Sequence, residues 1–218
     1  MNGLAFQQSR PCTGLRVSKL RLRGRGQLLE NGFSAEFLPA RIHLLAAPNG
    51  AGKSSLLASL AGLLKPDSGG SAFHNGSDVV LPHLISWLPP DDDFVLPQAA
   101  IEIVQAGRWR FHRGRPSKDD REIARFCLDS LGFRGLQGLQ GPQGLHGLQV
   151  LHARPSSELS SGQKRRVNLA RVLAQDADIL LLDEPFRGLD HPARESCQKI
   201  FELLAGRGRT VIIADPSF

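Results

Sequence analysis

Residues 47–55 read Ala47-Pro48-Asn49-Gly50-Ala51-Gly52-Lys53-Ser54-Ser55, and this stretch decides the fold. It stands between a short apolar run, Ile42-His43-Leu44-Leu45, and a segment with apolar residues at helical spacing, Leu56, Leu57, Leu60 and Leu64. A loop of small residues leading from a strand into a helix suits phosphate binding. Backbone N–H groups can close around phosphate oxygens, and the helix start adds positive partial charge. Asn49, Gly50, Ala51, Gly52, Lys53, Ser54 and Ser55 are the candidate phosphate ligands, with Lys53 reaching the β- and γ-phosphates and the Ser54 hydroxyl offered to Mg²⁺. A chance glycine-rich turn would not also place a lysine and two hydroxyls at these offsets.

Upstream, Leu15-Arg16-Val17-Ser18-Lys19-Leu20-Arg21-Leu22-Arg23 predicts a half-buried strand, with Leu20 and Leu22 inward and Arg21 and Arg23 outward. Downstream, Pro66 and the following Asp-Ser-Gly-Gly are expected to stop the first helix. Short strands are expected at 79–81 and 84–88. Helices follow at 98–107 and 119–132, separated by a basic, proline-containing linker. The run from Gly135 to Gln149 carries glycine at every third position. It is far too short for a collagen-like assembly and predicts an expanded loop. Helices are then expected from about Ser160 to Ala174 and from Pro192, and strands at Ile179–Leu182 and Thr210–Ala214. Strands apolar on both faces, alternating with helices, predict a parallel sheet covered by helices.

Two further stretches carry chemistry. The apolar strand Ile179-Leu180-Leu181-Leu182 delivers Asp183 and Glu184 to a sheet edge. Asp183 suits a Mg²⁺ contact. Glu184 suits polarisation of a water that attacks the γ-phosphate, the candidate catalytic role. Leu159-Ser160-Ser161-Gly162-Gln163 precedes a basic amphipathic helix. Ser160 and Gln163 have the spacing of a capping box, so a structural role alone would account for them.

These residues also resemble the LSGGQ signature of ATP-binding cassette (ABC) ATPases, with Ser161 in place of the first glycine. The order of phosphate loop, insertion, signature, acidic strand and the D-loop-like Arg187-Gly188-Leu189-Asp190 resembles that family over about residues 15 to 215. The resemblance implies an α/β P-loop NTPase with a RecA-like parallel core, a small antiparallel β-subdomain and a helical insertion. On that reading residues 1–14 form a leader, 15–90 and 160–218 the nucleotide-binding core, and 91–159 the insertion. It implies ATP and Mg²⁺ as cofactors and a second ATP-binding subunit, with a homodimer expected. Ser160, Gly162 and Gln163 of one copy would face the nucleotide held by Lys53 of the other. It further implies integral membrane transporter subunits as partners and a location on the inner face of the cell membrane. The "V…GR" pattern around Val104-Gln105-Ala106-Gly107-Arg108, and Phe186 after Pro185, are similar to importer subunits for metal ions or metal chelates. A non-hydrolysing regulatory subunit and a haem-type or drug exporter subunit are the alternatives.

Besides Ser161, and Ala47 where the phosphate loop usually begins with glycine, the sequence departs from the family in three places. Pro90 stands where a glutamine is usual after the strand, leaving Asp91 or Gln98 as replacements. Asp215-Pro216 stands where the family has a histidine. No tyrosine occurs anywhere, and Leu22 and Arg23 lie near the position of the usual adenine-stacking aromatic.

Composition bounds the remaining classes. The chain has 218 residues, 41% of them hydrophobic and 22% charged, which excludes wholesale disorder. No apolar run approaches the ~20 residues of a membrane span, and no secretory signal is visible. Cys12, Cys127 and Cys197 have no metal-ligand spacing and read as ordinary thiols. A net charge of +6 favours phosphate-bearing partners without choosing among them. The basic, aromatic stretch around Trp109 and Phe111 would suit nucleic acid, but a solvated face is the simpler reading and nucleic acid is not expected as a partner.

Overall fold

A computed structural model describes residues 13–73, 82–91, 97–112, 114–133 and 152–216. The leader up to residue 12, the strand expected at 79–81 and the Gly135–Gln149 run lie outside the described residues. The chain divides into two compact units. Met1–Pro90, Ala177–Pro185 and Ile200–Phe218 form the first, and Asp91–Asp176 and Phe186–Lys199 the second.

The first unit holds two sheets. In the antiparallel one, β1 (Leu15–Arg21) lies between β2 (Phe33–Phe37) and β4 (Ser68–Phe73). Alternation in β1 works as expected, burying Leu15, Val17 and Leu20, with Leu22 just beyond, while Arg21 and Arg23 face solvent. Both of its registers slip near Lys19, which adopts φ 45°. The second sheet is wholly parallel, in the order β3 (Ile42–Leu45), β7 (Thr210–Ala214), β6 (Ile179–Asp183), β5 (Ile85–Leu88). β6 and β7 are buried at every residue, as strands covered on both faces must be. The edge strands β3 and β5 are less covered, β3 least of all. Leu44, in β3, is 50% exposed. Leu181, Ile212 and Ala214 join Leu20, Leu22, Leu56, Leu57 and Leu60 in one apolar cluster.

Two sequence expectations change here. The first long helix, α2 (Lys53–Leu60), ends well before Pro66. Gly62 closes it, its N–H donating to the Ser59 carbonyl while the Leu63 N–H donates to that of Ala58, a Schellman arrangement. Leu64, counted as a helix position from its spacing, lies beyond the end. The Asp-Ser-Gly-Gly stretch is not merely a stop, because Ser68 starts β4. The Asp67 N–H donates to the Arg21 carbonyl at 2.8 Å, and its carboxylate accepts from the Arg23 N–H at 2.7 Å. A four-residue helix, α1 (Gln27–Glu30), lies between β1 and β2.

The second unit is helical. α3 (Ala100–Ala106), α5 (Lys118–Leu128) and α6 (Ser161–Ala174) pack against one another. The basic linker between the first two contains a helical turn, α4 (Trp109–His112), which sequence spacing does not reveal. A polar knot fixes this arrangement. Arg108 donates through Nε to Asp120 at 3.0 Å and through Nη1 to the Ala174 carbonyl at 3.3 Å, and its guanidinium lies 3.7 Å from the Phe111 ring centroid. Asp120 also caps α5 together with Ser117. Burial opposes ionisation of Asp120, but hydrogen bonds from the Ser117 hydroxyl and N–H and from Arg108 overcome it and hold the carboxyl below its ordinary value. Cys127 and Cys197 are buried, and burial pushes both thiols up to about 12, which keeps them protonated and inert. The helix expected from Pro192 is α7 (His191–Gly206). No helix among the described residues is long and apolar enough to cross a membrane.

Candidate functional site

The first unit carries a cleft of about 400 Å³ where β3 ends and α2 begins. Asn49, Gly50, Gly52, Lys53, Ser54 and Ser55 line it, together with Asp183 and Glu184 from the end of β6. The parallel register brings the two stretches together. β7 pairs with β3 on one side and β6 on the other, so Leu45 and Asp183 both sit opposite Ala214.

Lys53 is only 7% exposed, and its Nζ donates to the carbonyls of Ala47 and, at 3.1 Å, of Pro48. The ammonium therefore folds back over the loop that precedes it. Gly50 and Gly52 adopt φ 77° and 103°, a region open to glycine and strained for other residues. Gly52 also has no room for a side chain, since a Cβ there would run into the Arg25 carbonyl oxygen. Ala51, expected among the phosphate ligands, does not line the cleft. Its N–H donates to the Pro48 carbonyl at 3.2 Å, and its carbonyl accepts from the Leu28 N–H at 3.2 Å.

Asp183 is 1% exposed at the end of a buried strand. Glu184 is half-buried and takes φ 46°, while its N–H donates to the Ala214 carbonyl at 2.7 Å. A non-glycine residue in that region carries strain of about 1–3 kcal/mol, which is retained where surrounding structure imposes it. Here the turn re-aims the chain immediately after Asp183. The donor set fits a hard divalent cation: the exposed Ser54 hydroxyl and the buried Asp183 carboxylate line one cleft, and both offer oxygen.

Sequence reading missed Gly24, Arg25 and Gly26, which also line the cleft. Gly26 has φ 102°, and a Cβ on it would collide with the Ala51 backbone. The only available signal was the Gly-Arg-Gly triplet between the first strand and the next apolar pair.

Ser160, Gly162 and Gln163 belong to the second unit. The Ser160 Oγ accepts from the Gln163 N–H at 3.3 Å, and the Gln163 Oε1 accepts from the Ser160 N–H at 2.9 Å, so the capping box of α6 is present. Gly162 lies against the Arg187–Asp190 turn. A Cβ on Gly162 would come within 2.5 Å of the Gly188 carbonyl oxygen. Asp91 is exposed, and the Gln98 carbonyl accepts from the Ser156 N–H at 2.9 Å. Asp215, at the end of β7, is buried.

The sequence matches the family model described as ABC transporter over residues 31–187. It is 31% identical over 179 residues to the zinc transport system ATP-binding protein TroB of Treponema pallidum (strain Nichols), covering 79% of this chain and 60% of that protein. It is 30% identical to the cytochrome c biogenesis ATP-binding export protein CcmA of Maricaulis maris (strain MCS10), covering 92% of this chain and 84% of that protein. Several metal-transport relatives are longer, and the chain spans 54% to 64% of three of them. In structure it is similar to a metal-chelate type ABC transporter in an inward-facing conformation. The TM-score is 0.69 at 22% identity, over 94% of this chain and 73% of that one.

Proposed function

The chain belongs to the ABC transporter family, and from that premise we propose that it is the ATP-binding and ATP-hydrolysing motor subunit of a multi-subunit membrane transporter. The substrate class we infer is metal ions or metal chelates, because relatives named for zinc, manganese and chelated iron transport share 31–32% identity with it. The observation that carries the reading is the single cleft that collects a phosphate loop, its lysine and two strand-end acids.

The roles divide by chemistry. Gly50, Gly52 and Lys53 present backbone N–H groups, and Lys53 its ammonium, to the phosphates of ATP, with Asn49 and Ser55 at the sides. Ser54 and Asp183 would hold Mg²⁺, whose charge offsets that of the phosphates when it is bound. Glu184 polarises a water. As the water oxygen bonds to the γ-phosphorus, the bond from that phosphorus to the bridging oxygen breaks, and ADP carries away the electron pair. Ser160, Gly162 and Gln163 contact the nucleotide of a second copy, closing two copies around two ATP molecules. Closure and reopening drive integral membrane subunits, and the chain sits peripherally on the inner face of the membrane.

A second reading, a nucleotide-binding subunit without turnover, is favoured by Pro90 and by Asp215-Pro216, which supply no glutamine or imidazole at those positions. Phosphate release and ATP affinity measured on the chain assembled with its membrane subunits separate the two. Glu184→Gln should lower turnover by about 10²–10⁴-fold, the range of general-base catalysis, and leave ATP affinity unchanged. Undiminished turnover in the variant removes the role given to Glu184. ATP binding with no turnover in the full complex favours the second reading, and rapid turnover there excludes it.

A further inference from the structure

We propose that Arg25 is a nucleotide-binding residue whose guanidinium takes the polyphosphate tail of the nucleotide, alongside Lys53. The inference rests on the reading of the cleft as the ATP site.

Three observations carry it. The first is position. The backbone at Gly26 fits against Ala51, that at Arg25 against Gly52, and the Leu28 N–H donates to the Ala51 carbonyl. The triplet cannot slide along the phosphate loop without losing these contacts, so the Arg25 backbone is held at the cleft wall. The second is charge. Arg25 and Lys53 are the cations lining the cleft, and Asp183 and Glu184 the anions. These cancel, and the Lys53 ammonium is already directed at two carbonyls. A triphosphate carries more negative charge than one bound Mg²⁺ offsets, so a second cation at the cleft wall adds to its binding. The third is availability. Arg25 is exposed and makes no ion pair or side-chain hydrogen bond among the described residues. A guanidinium presents a fork of donors that matches phosphate oxygens.

No aromatic side chain among the described residues lines the cleft, so stacking of Arg25 on the base is the competing arrangement. Titration of the full chain with ATP and, separately, with inorganic tripolyphosphate distinguishes the two. Arg25→Ala and Arg25→Gln should each weaken both ligands by about tenfold or more, as expected for loss of a charge-assisted hydrogen bond. Arg25→Lys should recover part of that loss. Arg41→Ala, at an exposed cation that precedes β3 and does not line the cleft, should change neither ligand by more than about twofold. Weakened ATP with unchanged tripolyphosphate would put Arg25 on the base and overturn the proposal. Unchanged affinity for both ligands would overturn it as well, while leaving the ATP site itself intact. An unmodified chain that binds neither ligand removes the reading of the cleft and the role of Arg25 with it.

Discussion

Gly50 and Gly52 are two residues apart in one loop, both with positive φ, and alanine should affect them very differently. At Gly50 nothing lies within 4 Å of a new Cβ. Only the conformational penalty applies, about 1–2 kcal/mol. At Gly52 the same penalty applies at φ 103°, and the Cβ also meets the Arg25 carbonyl oxygen closer than 3.0 Å and the Leu29 Cδ1 at 3.2 Å. The leucine methyl can yield, but the carbonyl belongs to a backbone packed against the loop. Overpacking of that kind adds about 1–3 kcal/mol. Gly52→Ala should then cost about 2–5 kcal/mol against about 1–2 for Gly50→Ala. For a chain of this size each kcal/mol moves the midpoint by about 2–4 °C. Thermal unfolding followed by circular dichroism should show Gly50→Ala lowered by a few degrees and Gly52→Ala by clearly more. Equal shifts would mean that the Gly24–Gly26 triplet does not press on the phosphate loop, and the account of the cleft wall would fail.

Two further outcomes follow from the second unit. Asp120 has a folded-state carboxyl held below the unfolded value of about 3.9, so its stabilisation is fully present above about pH 4 and is lost as pH falls through the folded value. Asp120→Asn should cost about 3 kcal/mol at pH 7, as when one partner of a buried pair is removed, and urea titrations at pH 3 should show the gap narrowing; a gap independent of pH would refute the assignment. Ser160→Ala should cost about 1 kcal/mol through loss of the α6 cap, and Ser160→Asp should restore stability because aspartate caps equally well. Turnover should nevertheless stay lost in Ser160→Asp, and recovered phosphate release would show that Ser160 is only a cap.

What sequence could reveal was set by the range of the interactions involved. The phosphate loop, β6 with Asp183 and Glu184, and the capped start of α6 are each specified within a few residues, by period, small residues and the Ser160/Gln163 reciprocity. The Gly24–Gly26 wall depends on contact with residues 51 and 52, which no local pattern encodes. The end of α2 was misjudged because Pro66 is the louder signal, although Gly62 satisfies the final carbonyls first. The Asp67–Gly70 stretch reads as a terminator because glycine is a poor strand former. It pairs with β1 nevertheless, at the position where Lys19 makes room by distorting. Leu44 reads as core from its apolar neighbours, and only the strand order places it at an edge.

The edge position of β3 bears on how the molecule is made. Among the described strands β3 has one neighbour, β7, with Ile42 opposite Val211 and Leu45 opposite Ala214. The antiparallel sheet draws on residues 15–73 and can pair before the later strands of the parallel sheet are made. The phosphate loop hangs from the end of β3, so it lacks its supporting ladder until Thr210–Ala214 has emerged from the ribosome. Nucleotide therefore cannot template the early chain. It captures a cradle that β7, encoded far downstream of the loop, completes, and a nascent chain stalled before that strand would present the loop's sequence without its grip.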